Sequence, residues 1–223
     1  MRRYLFPAIL GLAGVAILLS LGFWQLRRLE WKTAMLAEIQ QGIEAPPQAL
    51  PATPEPGMKY LPVEIAGHTL GPEVLVLGGS RETGGGYLVI SAFETDDGRR
   101  VMVQRGFIPE GARHAERPPV ELRIEGNLHW PQETTSSTPA PNRTENIWFA
   151  RDVPLMAEAL GTEPVLVVAR RIQGDLQGID PVPVAIAGIP NNHLEYAWTW
   201  FMLAVVWGGM TAYLISRIRR RSY

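Results

Sequence analysis

Two stretches of this chain, residues 5–23 and 196–215, carry no charged side chain, and they dominate what it can fold into. As helices rising about 1.5 Å per residue, each reaches about 30 Å, the thickness of a bilayer's hydrocarbon core. A helix apolar on every side must be surrounded by apolar material, and 223 residues supply too little to bury two of them. The pattern predicts two membrane spans, one near each end. The first span has a rival reading as a cleaved signal peptide, with a basic start and small residues Ser20 and Gly22 at a plausible cleavage site. Its apolar run is long for a signal.

Charge is segregated along the chain. Residues 1–24 and 196–223 hold Arg2, Arg3, Arg217, Arg219, Arg220 and Arg221 and no acid. All 22 acids lie in residues 25–195, against 15 basic residues, so the middle region carries a net charge of -7. Arginines flanking both spans predict cytoplasmic termini and an external middle region. Arg27, Arg28 and Lys32 follow the first span and oppose this orientation. The second span decides it, because no Lys or Arg lies between Arg171 and Arg217. An acidic middle region without a basic aromatic stripe argues against nucleic acid as a partner.

The helix of the first span is expected to continue through residues 25–41, which lack Gly and Pro. Five prolines in 45–59 then read as a linker. From Tyr60 the pattern becomes short β-prone runs, predicting strands at 61–66, 73–77, 87–95, 99–107, 121–128 and 165–172. Asp97-Gly98 suits a type I′ hairpin turn, and Gly84-Gly85-Gly86 reads as a flexible turn before a strand. A short helix is predicted at 153–160, capped by Asp152 and stopped by Gly161. The fold class is therefore two transmembrane α-helices flanking a mainly antiparallel β external domain. The expected organisation runs as a cytoplasmic end (1–4), first span (5–23), and helical extension with Pro-rich linker (24–59). The mainly β domain (60–173), a Gly/Pro-rich return segment (174–195), the second span (196–215) and a basic tail (216–223) follow.

Little here looks catalytic. There is no cysteine, which removes disulfides, Cys-based metal sites and c-type haem attachment. No nucleophile elbow, phosphate loop or His-Glu-x-x-His run is present. Four histidines remain, of which His68, His114 and His129 fall on loops or strand ends and receive no role. His193 is different, because it stands just before the second span in a segment rich in Trp and Tyr, where Asn191 or Asn192 would cap the helix. Imidazole ligates haem iron, and Trp24, Trp198 and Trp200 would offer flat apolar surface, with Arg27, Arg28 or Lys32 for the propionates. The plainer reading is an interfacial His inside an ordinary aromatic belt. Arg105 also stands out: strand alternation would put it on the face of Val101, Val103 and Phe107, calling for a carboxylate or an anionic partner.

Four segments carry a resemblance: LGFWQLRRLEWK at the end of the first span, YLPVEIAG, VQRGFIP, and NNHLEYAWTW at the second span. Together they resemble the surfeit locus protein 1 family, which assembles cytochrome c oxidase. Phe107 stands where many members are expected to have Trp. The resemblance implies a two-span bacterial inner-membrane factor with a periplasmic domain and a chaperone-like role in respiratory-chain biogenesis. Its implied partners are the large haem-bearing oxidase subunit, membrane lipid and the haem a synthesis machinery. It also implies haem a as a transient cofactor, with His193 as axial-ligand candidate and Trp24, Arg28, Trp198 and Trp200 around it. Gln25, Arg105 and Gly106 become positions of interest without assigned chemistry. A haem-free scaffold would carry the same motifs.

Overall fold

The computed structural model describes residues 2–80, 84–185 and 190–220, which form two compact units. One unit takes residues 1–38 and 186–223, the other residues 39–185.

The first unit is a pair of long helices, α1 (Arg2–Glu44) and α3 (His193–Arg220). At 43 residues, α1 is about 65 Å long, roughly twice the hydrocarbon thickness, so its C-terminal half lies beyond any single crossing. Only 11% and 6% of the most apolar windows of the two helices is buried. A soluble core helix would hide that surface, and water does not tolerate so much exposed apolar area. Both helices are membrane spans.

The second unit is a small closed barrel. Its strands are β1 (Gln48–Ala49), β2 (Pro62–Ser80), β3 (Gly84–Thr95), β4 (Arg100–Pro109), β5 (Glu121–Leu128), β6 (Ile147–Trp148) and β7 (Leu166–Gly174). Strand β2 pairs with β3, β3 with β4, β4 with β7, β7 with β5, and β5 returns to β2, so the ring is complete. The runs predicted at 61–66 and 73–77 are one continuous strand. Its first half pairs with β5 and the rest with β3, the two partners overlapping at Gly67 and His68, and the β2–β3 register shifts between Thr69 and Glu73. Gly67 sits at this crossing, φ 153°, and a Cβ there would lie 2.1 Å from the Glu94 carbonyl oxygen. Gly84, Gly85 and Gly86, read from sequence as a turn, belong to β3 and pair with Ser80, Gly79 and Gly78.

Side-chain alternation sorts the barrel's buried residues into two large cores and a smaller one around Leu75, Tyr87, Val89, Ile108 and Ile179. Val63, Ile65, Phe93, Val101, Val103, Ile124 and Val167 form one cluster supplied by all five ring strands. Their neighbours Met102, Leu166 and Val168 join the other, under α2 (Val153–Leu160), with Met156 and Leu160. Helix α2 has the predicted ends: Asp152 accepts from the Leu155 amide, and Gly161 takes the left-handed conformation, φ 66°. The Asp97-Gly98 hairpin differs from the type I′ expectation. Gly98 has φ 85° and Asp97 is not left-handed; Gly98 N–H donates to Thr95 O and Thr95 N–H to Arg99 O. This is a three-residue loop closed by one left-handed glycine. Residues 45–59 lie against the barrel: β1 pairs with β2, and Leu50 and Met58 pack on the inner core.

Candidate functional site

Helices α1 and α3 run antiparallel along a seam of small residues. A Cβ on Gly11 would lie 2.1 Å from Thr211, one on Gly14 2.2 Å from Trp207, and one on Gly22 2.5 Å from Phe201. At each of these positions the facing side chain fills the space a methyl would need and would have to move to admit one. Phe201 also meets Phe23 edge-on, with ring centroids 5.4 Å apart. The second span's own glycines, Gly208 and Gly209, are less tightly placed. A Cβ on Gly208 would make only an ordinary 3.6 Å contact with Val15, and Gly209 faces open space. Gly22, noted in the sequence only as a cleavage-site residue, is a tighter point than either.

At the end of the seam, α1 holds the segment that enters α3. His193 Nδ1 lies 2.8 Å from Gln25 Oε1, although the two residues are 168 apart in sequence. Lys32 Nζ donates to the Pro190 carbonyl, and Asn191 Nδ2 lies 3.5 Å from Thr33 Oγ1. Of the two expected cap residues, Asn192 directly precedes α3 and its carbonyl accepts from the Tyr196 amide, whereas the Asn191 side-chain oxygen has no hydrogen-bond partner among the described residues. Lys32, an expected propionate partner, is used on backbone instead. Gln25 is 9% exposed, low for an amide at a helix surface, and His193 is half-buried.

The remaining aromatic and basic residues divide by helix face. Trp200 is two turns from His193 on the same face and half-buried, as are the seam positions Phe201 and Gly208. Trp198 is 63% exposed on a different face, and Trp24 is 51% exposed. Arg28 lies over the ring of Trp31, 4.3 Å from its centroid, a cation–π pair on the outer side of α1. Gln25, His193 and Trp200 are therefore brought to one seam, whereas Trp24, Arg28 and Trp198 point elsewhere. Among the described residues no group of three or more His, Cys, Asp or Glu could hold a metal ion.

The motif VQRGFIP does a different job, inside the barrel unit. The β3–β4 ladder pairs Ile90 with Gln104 and Val89 with Gly106, leaving Arg105 as the extra residue of a bulge. The bulge switches alternation, so Phe107 pairs with Leu88 and leaves the face of Val101 and Val103. Arg105 is 1% exposed and forms no ion pair among the described residues. It donates to Gln177 Oε1 at 2.9 Å and more weakly to the Asp175 and Leu176 carbonyls, and its Nε has no partner. Burial pushes the guanidinium below its ordinary range, with the charge of Glu73 opposing. Next to it, Phe107 and Asp180 exchange two backbone hydrogen bonds of 2.7 and 2.9 Å. Arg105, Gly106 and Phe107 together bind the strap of residues 175–181 that leaves β7.

Two buried polar residues escaped the sequence reading. Asn127, fully buried, donates to the carbonyls of Ile43 and Tyr60, and Arg170 also donates to Ile43. They satisfy a carbonyl in the last turn of α1 that would otherwise be an orphan. His129, given no role from sequence, is buried and stacked on Tyr60 at 5.6 Å. Burial, with the nearby charges of Arg151 and Lys59, lowers its pKa to about 4, so it is neutral at pH 7. The barrel's exposed large apolar residues, Leu77, Phe149 and Val182, line one groove of about 520 Å³, edged by the Arg151–Glu133 ion pair.

The arrangement can be compared with known proteins. The profile described as the SURF1 family matches residues 12–205. A "SURF1-like protein" of Rickettsia bellii is 32% identical, with 92% of this chain and 87% of the relative aligned. The "Surfeit locus protein 1" of Homo sapiens is 29% identical, over 87% of this chain and 71% of the relative. That of Rattus norvegicus is 27% identical, over 89% and 71%. The match begins within the first span, ends within the second and includes both residues of the Gln25–His193 contact. The chain belongs to the SURF1 family.

Proposed function

We propose that this chain is an assembly factor for a haem-copper terminal oxidase, acting in cytochrome c oxidase biogenesis by binding and placing rather than by catalysis. On this reading it sits in a bacterial inner membrane with both termini cytoplasmic and the barrel periplasmic. Its partner is the large haem-bearing oxidase subunit, with haem a as a transient cargo bound at His193. The observation that carries the reading is the Gln25–His193 contact, which joins the two membrane-boundary motifs at one imidazole.

The residues fit a haem-type ligand in a limited way. His193 Nδ1 is engaged by Gln25, and no hydrogen bond of Nε2 is recorded among the described residues, so that nitrogen is the one for iron. Trp200 supplies apolar surface on the same helix face, while Arg28 is turned away onto Trp31. Bound haem a would supply an iron centre and a large apolar macrocycle with two carboxylates. The chain's own task is to hold one imidazole in place at the mouth of the helix seam and let the cargo leave. Single ligation by a half-buried residue suits release better than a closed two-ligand cage.

One observation favours the second reading, a haem-free scaffold stabilising an oxidase assembly intermediate. Trp24 and Trp198 turn outward, as an aromatic belt facing lipid would. The visible absorption spectrum of the full-length protein, co-produced with haem a synthesis, separates the two. Stoichiometric haem a in the wild type and none in His193→Ala supports the carrier. Absence of pigment from both, with the oxidase subunit still captured by both, supports the scaffold.

A further inference from the structure

We propose that Gln25 is a positioning residue for His193: its side-chain oxygen fixes the imidazole as the Nδ1–H tautomer and leaves the Nε2 lone pair as a deliberately weak metal ligand. The inference rests on the haem-ligand reading of His193 for its last clause only.

A glutamine carbonyl oxygen can only accept a hydrogen bond, so a 2.8 Å contact to Nδ1 places the imidazole proton on that nitrogen. Nε2 then keeps its lone pair. In a neutral imidazole the partner of one nitrogen decides which tautomer is present, and hence which nitrogen is left to bind metal. Gln25 is itself almost fully buried on the seam face of α1, one turn beyond Gly22. A buried amide is costly unless it is hydrogen-bonded, and the only hydrogen bond recorded for Gln25's side chain among the described residues is to His193. Its neighbours on α1 hold the same segment, Lys32 donating to the Pro190 carbonyl and Thr33 meeting the Asn191 side chain. Residues 25–33 thus hold positions 190, 191 and 193 at three points, and only the contact at 193 reaches a side chain that can ligate metal.

The choice of an amide has a chemical consequence. Metal-bound histidines commonly donate to a carboxylate, which raises the basicity of the ligand and tightens the bond. A neutral glutamine orients the ring equally well without adding that electron donation. A weaker bond is what a protein that must surrender its cargo requires.

The test uses the full-length protein in detergent and has two arms. In the first, histidine is 15N-labelled and the apo protein's nitrogen resonances report the His193 tautomer, with His193→Ala identifying the signals. The wild type should show Nδ1–H, and Gln25→Leu should lose that preference while melting at a similar temperature. An Nε2–H tautomer in the wild type, as an amide turned the other way would give, overturns the proposal. In the second arm, haem a retention is measured by visible absorption after co-production with haem a synthesis, followed by transfer to an apo-acceptor such as apomyoglobin. Gln25→Leu should weaken retention about 10- to 100-fold, the usual effect of removing a residue that orients a metal ligand. Gln25→Glu should retain haem a more tightly than wild type, release it more slowly, and shift the iron–histidine vibration. Wild-type tautomer and wild-type retention in Gln25→Leu would sink the inference. A tautomer that follows Gln25 in a protein whose haem content is indifferent to His193→Ala upholds the positioning role and overturns the haem-ligand reading alone.

Discussion

Replacing Gly106 by alanine tests the reading of VQRGFIP as the anchor of the 175–181 strap. Gly106 has φ 152°, a conformation that L side chains rarely adopt. The added Cβ would lie 2.0 Å from the Asp180 carbonyl oxygen, 2.5 Å from its carbon and 2.8 Å from Pro181 Cα. All three are backbone atoms, so no rotamer change relieves the clash. Reaching an ordinary contact of about 3.4 Å requires the strap to retreat by roughly 1.4 Å. That stretches the 2.7 and 2.9 Å Phe107–Asp180 hydrogen bonds beyond bonding distance. Their loss costs about 2 kcal/mol at about 1 kcal/mol each. Backbone strain adds about 1–3 kcal/mol, whichever way the structure relaxes. A total of about 3–5 kcal/mol is a large share of the roughly 5–15 kcal/mol that stabilises a typical domain. At about 2–4 °C per kcal/mol, the melting temperature should fall by about 10 °C. The assay is thermal unfolding of the full chain in detergent, with hydrogen exchange at the Phe107 and Asp180 amides. Gly111→Ala is the control, because a Cβ there meets nothing within 4 Å. A Gly106→Ala melt within about 2 °C of wild type would refute the reasoning, since even about 1 kcal/mol should move it that far.

The helix seam predicts that Gly22→Leu disrupts the α1–α3 pair by about 1–3 kcal/mol of overpacking against Phe201, whereas Gly209→Leu is tolerated. The chain has no cysteine, so oxidative cross-linking of V15C/G208C reads the pair directly and should drop with Gly22→Leu only. Native His129 has a pKa of about 4 against 6.5 for the free side chain, so the unfolded chain takes up the proton first as pH falls. Its contribution is therefore complete above pH 6.5 and declines towards pH 4 by about 3 kcal/mol. The denaturant midpoint should fall across that window in wild type and lose this component in His129→Phe; identical pH profiles would count against it. Asp152→Ala removes the cap of α2 and should cost about 1 kcal/mol in the same denaturant titration.

Features set by neighbours in sequence were legible before any coordinates. The two spans follow from unbroken apolar length, and α2 follows from Asp152, a good helical run and Gly161, each acting within a turn or two. Most strands followed from β-prone runs between breakers. The errors arose where a distant partner decided the local form. Residues 62–80 are a single strand because closing the ring makes one segment serve β5 and then β3. Phe107 left the face it was expected to share with Val101 and Val103 because a bulge against β3 inserts Arg105, and alternation counted along a single strand cannot register what the opposite strand omits. Gly208 and Gly209 are alike by type, but only Gly208 faces Val15 of the first helix, because which glycine meets the partner depends on the rotation of both helices about their axes.

The candidate site divides in the same way. His193 was legible from its place at the edge of the second span, and Gln25 entered only as a residue of a recurring motif. What joins them is a hydrogen bond across 168 residues. Asn127 at the Ile43 carbonyl and the burial of His129 are likewise products of closure. The sequence by itself determined that two long apolar helices flank a strand-rich region and where the short helix α2 begins and ends, because hydropathy, capping and turn chemistry act over a few neighbouring residues. Only the tertiary structure decided which polar side chains are withdrawn from water and which atoms they must then find, because burial and hydrogen-bond satisfaction are properties of residues the chain brings together from far apart.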